Sequence, residues 1–207
     1  MSLEIWISFF IASAALLAIP GPTVMIVVSY ALGQGRSSAW ATVPGVALGD
    51  FTAMTASLLG AGAILAASAT LFTALKIAGA VYLIWLGVKL WRSDDRMGSI
   101  HTAGRQSKVS MFRASYIVTA LNPKGIVFFV AFVPQFVNVN EPVLGQFIIL
   151  EATFLVLAAL NVAIWAVLAG KLRERFKSPK SLKIVNRIGG SFLICAGMLT
   201  AVVRRTA

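Results

Sequence analysis

The chain has 207 residues, of which 58% are hydrophobic and 12% charged, with a mean hydropathy of +0.87. That balance excludes an ordinary soluble globular domain and predicts an all-α integral membrane protein. A formal net charge of +11 would suggest nucleic acid as the partner of a soluble protein, but the basic residues here sit in short loops between apolar runs. The lipid bilayer is therefore the expected partner, and no nucleic acid is.

Six apolar segments follow one another, at about 5–31, 40–66, 71–91, 111–137, 143–169 and 184–203. The first has no Lys or Arg before it and is too long for a signal-peptide core, so it is expected to remain as a membrane span. Its middle is broken by Pro20, Gly21 and Pro22. Proline has no N–H and clashes with the carbonyl four residues back, so the helical ladder must open there. Opened backbone at membrane depth is tolerated only where it is buried in protein or lines a wet cavity, which makes the break a pointer to a site.

The second segment carries Asp50, the one acidic residue near the middle of a predicted helix, preceded by Gly45 and Gly49. A mid-membrane carboxylate costs about 2.5–3.5 kcal/mol on insertion scales, so Asp50 is expected to face the protein interior. There it suits a group that exchanges a proton for a substrate ammonium, or one held in a permanent ion pair with Lys124. The two glycines share a helix face, and their expected role is close packing against another helix, plausibly one of the broken ones.

The fourth segment is interrupted by Asn122, Pro123, Lys124 and Gly125. Lys124 has three readings: acceptor of a substrate carboxylate, partner of Asp50, or a side chain snorkelling to the interface. Pro22 can begin a new helical segment, and the free N–H groups after each break form a positive dipole end suited to an anion. In the fifth segment Glu151 and Asn161 are secondary candidates. The five tryptophans read as interfacial belt residues. His101 lies in a polar loop, and Cys195 is the only cysteine, so no metal site, disulfide, cofactor or catalytic residue is expected.

If the six segments alternate across the membrane, fourteen Lys and Arg fall in loops on one side and three, namely Lys76, Arg204 and Arg205, on the other. The basic side should be cytoplasmic and both termini outside, with Arg204 and Arg205 running against the rule. There is also an internal repeat. Gly79, Leu83, Ile84 and Gly87 recur at a constant offset of 110 residues as Gly189, Leu193, Ile194 and Gly197, and the two breaks are separated by 103 residues. Three spans per repeat force inverted topology, and proline-broken helices in matching positions mark a transporter's midplane binding site. The expected architecture is six transmembrane helices in two inverted three-helix repeats, the first and fourth helices broken near mid-membrane. Repeat one spans about 1–91 and repeat two about 111–207, joined by a loop at about 92–110.

These residues are also where the chain resembles a known family, the LysE/RhtB amino-acid exporters, over almost its whole length as a single domain. The resemblance rests on Pro20-Gly21-Pro22, on Gly45 through Asp50, on Lys76, Gly79-Ala80, Tyr82-Leu83 and Gly87, and on Asn122-Pro123-Lys124 followed by Pro134-Gln135-Phe136. It implies a multi-pass protein of the bacterial cytoplasmic membrane that exports an amino acid or close derivative by proton antiport. Pro20, Gly21, Pro22, Asp50, Asn122, Pro123 and Lys124 would then serve substrate binding or coupling. The assembly is left open, a homodimer included.

Two other classes compete. An intramembrane aspartyl protease would use a Gly-x-Gly-Asp motif, but position 47 is Ala47 and no second deep aspartate supplies the required dyad. A passive small-solute channel is separated from a carrier by counterflow. The sequence favours a transporter over an enzyme.

Overall fold

A computed structural model describes residues 1–92, 105–138, 140–175 and, near the C-terminus, 187, 188, 190, 191, 193–195, 197, 198 and 201. The described residues are helical, with no strand among them. Seven α-helices are bounded: α1 (Leu3–Ala18), α2 (Pro22–Gln34), α3 (Ala39–Ala67), α4 (Ala69–Arg92), α5 (Lys108–Ala120), α6 (Pro123–Val127) and α7 (Val143–Arg175). A further helical stretch lies between 187 and 201.

The first and fourth apolar segments each fold as two helices meeting at a break. α1 and α2 are bent by 54°, and α5 and the helical run from Pro123 to Phe136 by 40°. The causes are local. Ile19 is extended, at φ −76° and ψ 114°, because the proline that follows disfavours the helical region. α2 then restarts on Pro22 as its first residue, where the missing N–H has no intrahelical partner to lose. At the second break Asn122 caps α6: its Oδ1 accepts from Lys124 N–H at 3.1 Å, and Pro123 again takes the first helical position. Past α6 the chain widens into a π-helical turn, Phe128–Phe132, and tightens into a 3-10 turn, Val133–Phe136.

Among the described residues two helices are long and apolar enough to cross a bilayer, over Arg36–Ala63 and Val143–Ala169, and up to four spans result if each bent pair counts as one. The expected connecting loop at 92–110 and the basic loop at 171–183 lie largely outside the described residues, as do Arg204 and Arg205.

Close helix contacts are made at glycines. A Cβ on Gly45 would stand 2.5 Å from Phe112 O, and one on Gly49 would stand 2.8 Å from Tyr116 O and from Thr119 Cβ. α3 thus lies directly on α5, the first arm of the second broken pair. α4 meets the C-terminal stretch in a reciprocal way. A Cβ on Gly87 would touch Gly190 O at 2.6 Å and Ile194 at 2.8 Å, and one on Gly197 would touch Ala80 O and Ile84, each at 2.7 Å. Adding the repeat offset of 110 to 80, 84 and 87 gives 190, 194 and 197, so each set of contacts is the other with the two helices exchanged. Low numbers in α4 meet high numbers in its partner, so the pair runs antiparallel.

The core is in two parts. One is aromatic: Phe9, Phe128, Phe129, Phe132 and Phe154 are buried, with Phe129 and Phe154 edge to face at 4.8 Å. The other is built of small aliphatic side chains, among them Val24, Val27, Val46, Val162 and Ala166.

Candidate functional site: a cavity between the two breaks

Between the two core clusters lies a cavity of about 30 Å³. Leu16 and Phe154 of the aromatic cluster form part of its wall, and Val24, Val46 and Val162 of the aliphatic cluster form another part. Its polar wall is made by Gly21, Thr23, Asp50, Asn122, Lys124 and Asn161. Residues from α1, α2, α3, the second break and α7 therefore converge on one small space with room for a water molecule.

Lys124 has a defined task. Its ammonium donates to Leu16 O at 3.1 Å and to Ile19 O at 2.9 Å, two carbonyls at the end of α1. Pro20 has no N–H to give to Leu16 O, which accepts only the 3.3 Å cap bond from Ile19 N–H besides the ammonium, and a cation there also complements the negative end of the helix dipole. One N–H of the ammonium remains beyond these two bonds. Asp50 is buried in the same wall, 7% exposed, yet no ion pair within 4 Å joins it to Lys124 and no hydrogen bond from a described residue reaches its carboxylate. The two buried charges attract each other without touching, since no Asp50–Lys124 contact falls within 4 Å.

The two breaks are tied to each other by Thr23. Its Oγ1 accepts from Asn122 Nδ2 and from Thr119 Oγ1, both at 3.2 Å. Because Asn122 Oδ1 is engaged by Lys124 N–H, its amide orientation is fixed with Nδ2 toward Thr23. At the start of α2 the first intrahelical bond is Met25 N–H to Gly21 O, 2.9 Å, so the N–H groups of Thr23 and Val24 precede it and are without helix partners. Both residues line the cavity.

Of the residues singled out in the sequence, Gly21, Asp50, Asn122, Lys124 and Asn161 line this cavity, whereas Pro20, Pro22 and Pro123 shape the backbone beside it. Gly45 and Gly49 pack α3 on α5. Glu151 does not line the cavity: its Oε1 accepts from Thr55 Oγ1 at 2.6 Å, a bond between α7 and α3. Trp6, read as a belt residue, donates Nε1–H to Thr153 Oγ1 at 3.0 Å. Gly21 is extended, at φ −133° and ψ −168°, and a Cβ there would meet Lys124 Nζ at an ordinary 3.5 Å, so neither backbone nor space demands glycine.

Sequence reasoning missed Thr23, Thr119, Phe154 and Ala158. Thr23 carried a signal, a hydroxyl in the first turn after Pro-Gly-Pro in an otherwise apolar run. The other three depend on which faces of α5 and α7 turn inward, which a nearly uniform apolar sequence does not reveal.

Over 205 residues, 99% of each chain, the sequence is 33% identical to the homoserine/homoserine lactone efflux protein of Salmonella typhi. It is 28% identical to the leucine efflux protein of Enterobacter sp. (strain 638), over 93% of this chain and 92% of that one. An uncharacterized membrane protein of Vibrio cholerae is 28% identical over 99% of this chain. No solved structure matches. The profile of the LysE type translocators matches residues 14–203 and takes in both breaks, Asp50 and Asn161, so the chain belongs to that family of transport proteins and is not an enzyme.

Proposed function

We propose that the chain is a secondary exporter of an amino acid with an uncharged side chain, driven by proton antiport, and that the cavity between the breaks is its binding site. The observation that carries the reading is the composition of the cavity wall. Acceptors stand on α3 and α7, at Asp50 and Asn161; donors stand at the breaks, at Lys124 and the start of α2. A zwitterion entering the membrane needs both, because each charge must exchange water for fixed partners. Asp50 is the only carboxylate among the described residues of the wall, whose other polar side chains are Thr23, Asn122, Lys124 and Asn161 and whose remainder is Gly, Leu, Val, Phe and Ala, which leaves no second anion for a cationic side chain. The named relatives export homoserine and leucine, which is in keeping with this.

The cavity is small, about 30 Å³, and in this reading it is a closed form that an amino acid loads when the helices part. The reciprocal antiparallel contacts of α4 with the C-terminal stretch support a six-span, inverted-repeat architecture, and the distribution of Lys and Arg supports basic loops in the cytoplasm and both termini outside. Such a pair, related by exchange, is what an in-plane two-fold axis between repeats produces. In the cycle, ionised Asp50 receives the substrate ammonium from the cytoplasmic side. A proton arriving from outside neutralises the carboxylate, the ammonium loses its partner, and the substrate leaves outward while the proton is carried in.

Inside-out vesicles containing the protein test this. With the interior made acidic, labelled homoserine or leucine should accumulate, and preloaded unlabelled substrate should drive counterflow of label. Accumulation that neither responds to the pH gradient nor shows counterflow would identify a passive pore.

A further inference from the structure

Three side-chain atoms among the described residues are buried without a hydrogen-bond partner: Ser13 Oγ, Ser115 Oγ and Asn161 Oδ1. The two serines lie within helices and away from the cavity, and a helical serine can turn its hydroxyl to the carbonyl one turn back. Asn161 has no such recourse, because a carbonyl oxygen can only accept. It alone of the three is in the cavity wall, on the face of α7 that also presents Phe154, Ala158 and Val162. A buried acceptor left unmet costs stability, and native structures keep few of them.

None of the donors in the wall reaches Asn161 Oδ1. Lys124 gives two N–H groups to the end of α1, and Asn122 Nδ2 is given to Thr23. Asp50, on α3, likewise faces the cavity without a donor from the described residues. Asp50 and Asn161, on two adjacent helices, thus line one space, and the Asn161 oxygen is buried beside it without a donor. We propose that Asn161 is a second acceptor for the substrate's ammonium beside Asp50, so that the site requires a primary ammonium able to donate to both. The inference rests on the reading of this cavity as an amino-acid site and adds to it the residue that sets the donor count. It also orients the substrate, with its ammonium toward α3 and α7 and its carboxylate toward the breaks.

A tertiary ammonium keeps the charge but has one N–H, so it can satisfy Asp50 or Asn161 and not both. The test compares labelled L-leucine and L-homoserine uptake with inhibition by their N,N-dimethyl derivatives, in parent, Asn161→Leu and Asn161→Ala, together with the melting temperature of each purified protein without substrate. In the parent the dimethyl compounds should bind about tenfold or more weakly, the worth of one hydrogen bond to a charged group. Asn161→Leu should raise the KM for the parent amino acid about tenfold and collapse the preference over the dimethyl form, with no loss of melting temperature, because an unmet acceptor has been removed. An unchanged KM, an unchanged preference, or a lower melting temperature in both variants would overturn the assignment and make Asn161 a packing residue. A parent that carries neither amino acid overturns the functional reading instead, and the melting temperatures then decide on Asn161 alone.

Discussion

At the scale of single residues, the cavity separates side chains that hold the site together from side chains that wait for a ligand. Lys124 belongs to the first group through its bonds to Leu16 O and Ile19 O, and Thr23 through its bonds to Asn122 and Thr119. Lys124→Met should therefore lower stability as well as transport, by about 1.5–3 kcal/mol for each hydrogen bond lost to a charged group, read as a fall in melting temperature. Thr23→Ser should keep transport, whereas Thr23→Val, equal in shape but without the hydroxyl, should lose most of it. Equal activity of the two would remove that hydroxyl from the site. Gly21→Ala should insert and fold normally, since its Cβ meets only an ordinary contact, and a strong folding defect would contradict the geometry. The sequence made Asp50 and Lys124 legible because a charge inside an apolar run is costly and needs a reason. It could not say that Lys124 serves the end of α1, because that depends on how two breaks 103 residues apart come together.

At the scale of elements, the breaks were legible and the packing only in part. Proline in an apolar run opens a helix wherever it stands, and the bends of 54° and 40° follow from that rule. Pro44 inside α3 is the instructive exception: although Gly45 follows it, no second proline does, as Pro22 does after Pro20, and the helix continues through it over Ala39–Ala67. The π-helical turn at Phe128–Phe132 had no signal in an unbroken apolar stretch. Gly45 and Gly49 were read as a close-packing face, and the helix they meet is α5. Gly49→Leu should separate α3 from α5, displace Asp50 from the cavity and cost at least the 1–3 kcal/mol typical of overpacking, about a level that reduces the amount of folded protein in membranes. Gly60→Leu, with nothing within 4 Å of its Cβ, is the control and should be tolerated.

At the scale of the molecule, the site lies where two core clusters of different character meet, aromatic on one side and small aliphatic on the other. Such a layout suits a carrier that closes from either side in turn, with the substrate's charges exposed to neither core. The sequence suggests a repeat through the faint recurrence of Gly79, Leu83, Ile84 and Gly87, and in the proposed architecture the reciprocal contacts of Gly87 and Gly197 would be its spatial form. Orientation rests on the distribution of Lys and Arg alone. A cysteine near Gly98 or Ser178, both outside the described residues, in a Cys195→Ala background should resist an impermeant thiol reagent added to intact cells; labelling of both would reverse the assignment. The central claim is that Asp50 binds the ammonium and couples its release to a proton. It is tested most directly by Asp50→Asn in inside-out vesicles with the interior acidified, since that change keeps the shape and removes both charge and titration. The expected result is that inserted Asp50→Asn protein no longer accumulates labelled amino acid and no longer responds to the pH gradient. Accumulation that follows the gradient as in the parent would contradict the account and leave Asp50 a structural residue.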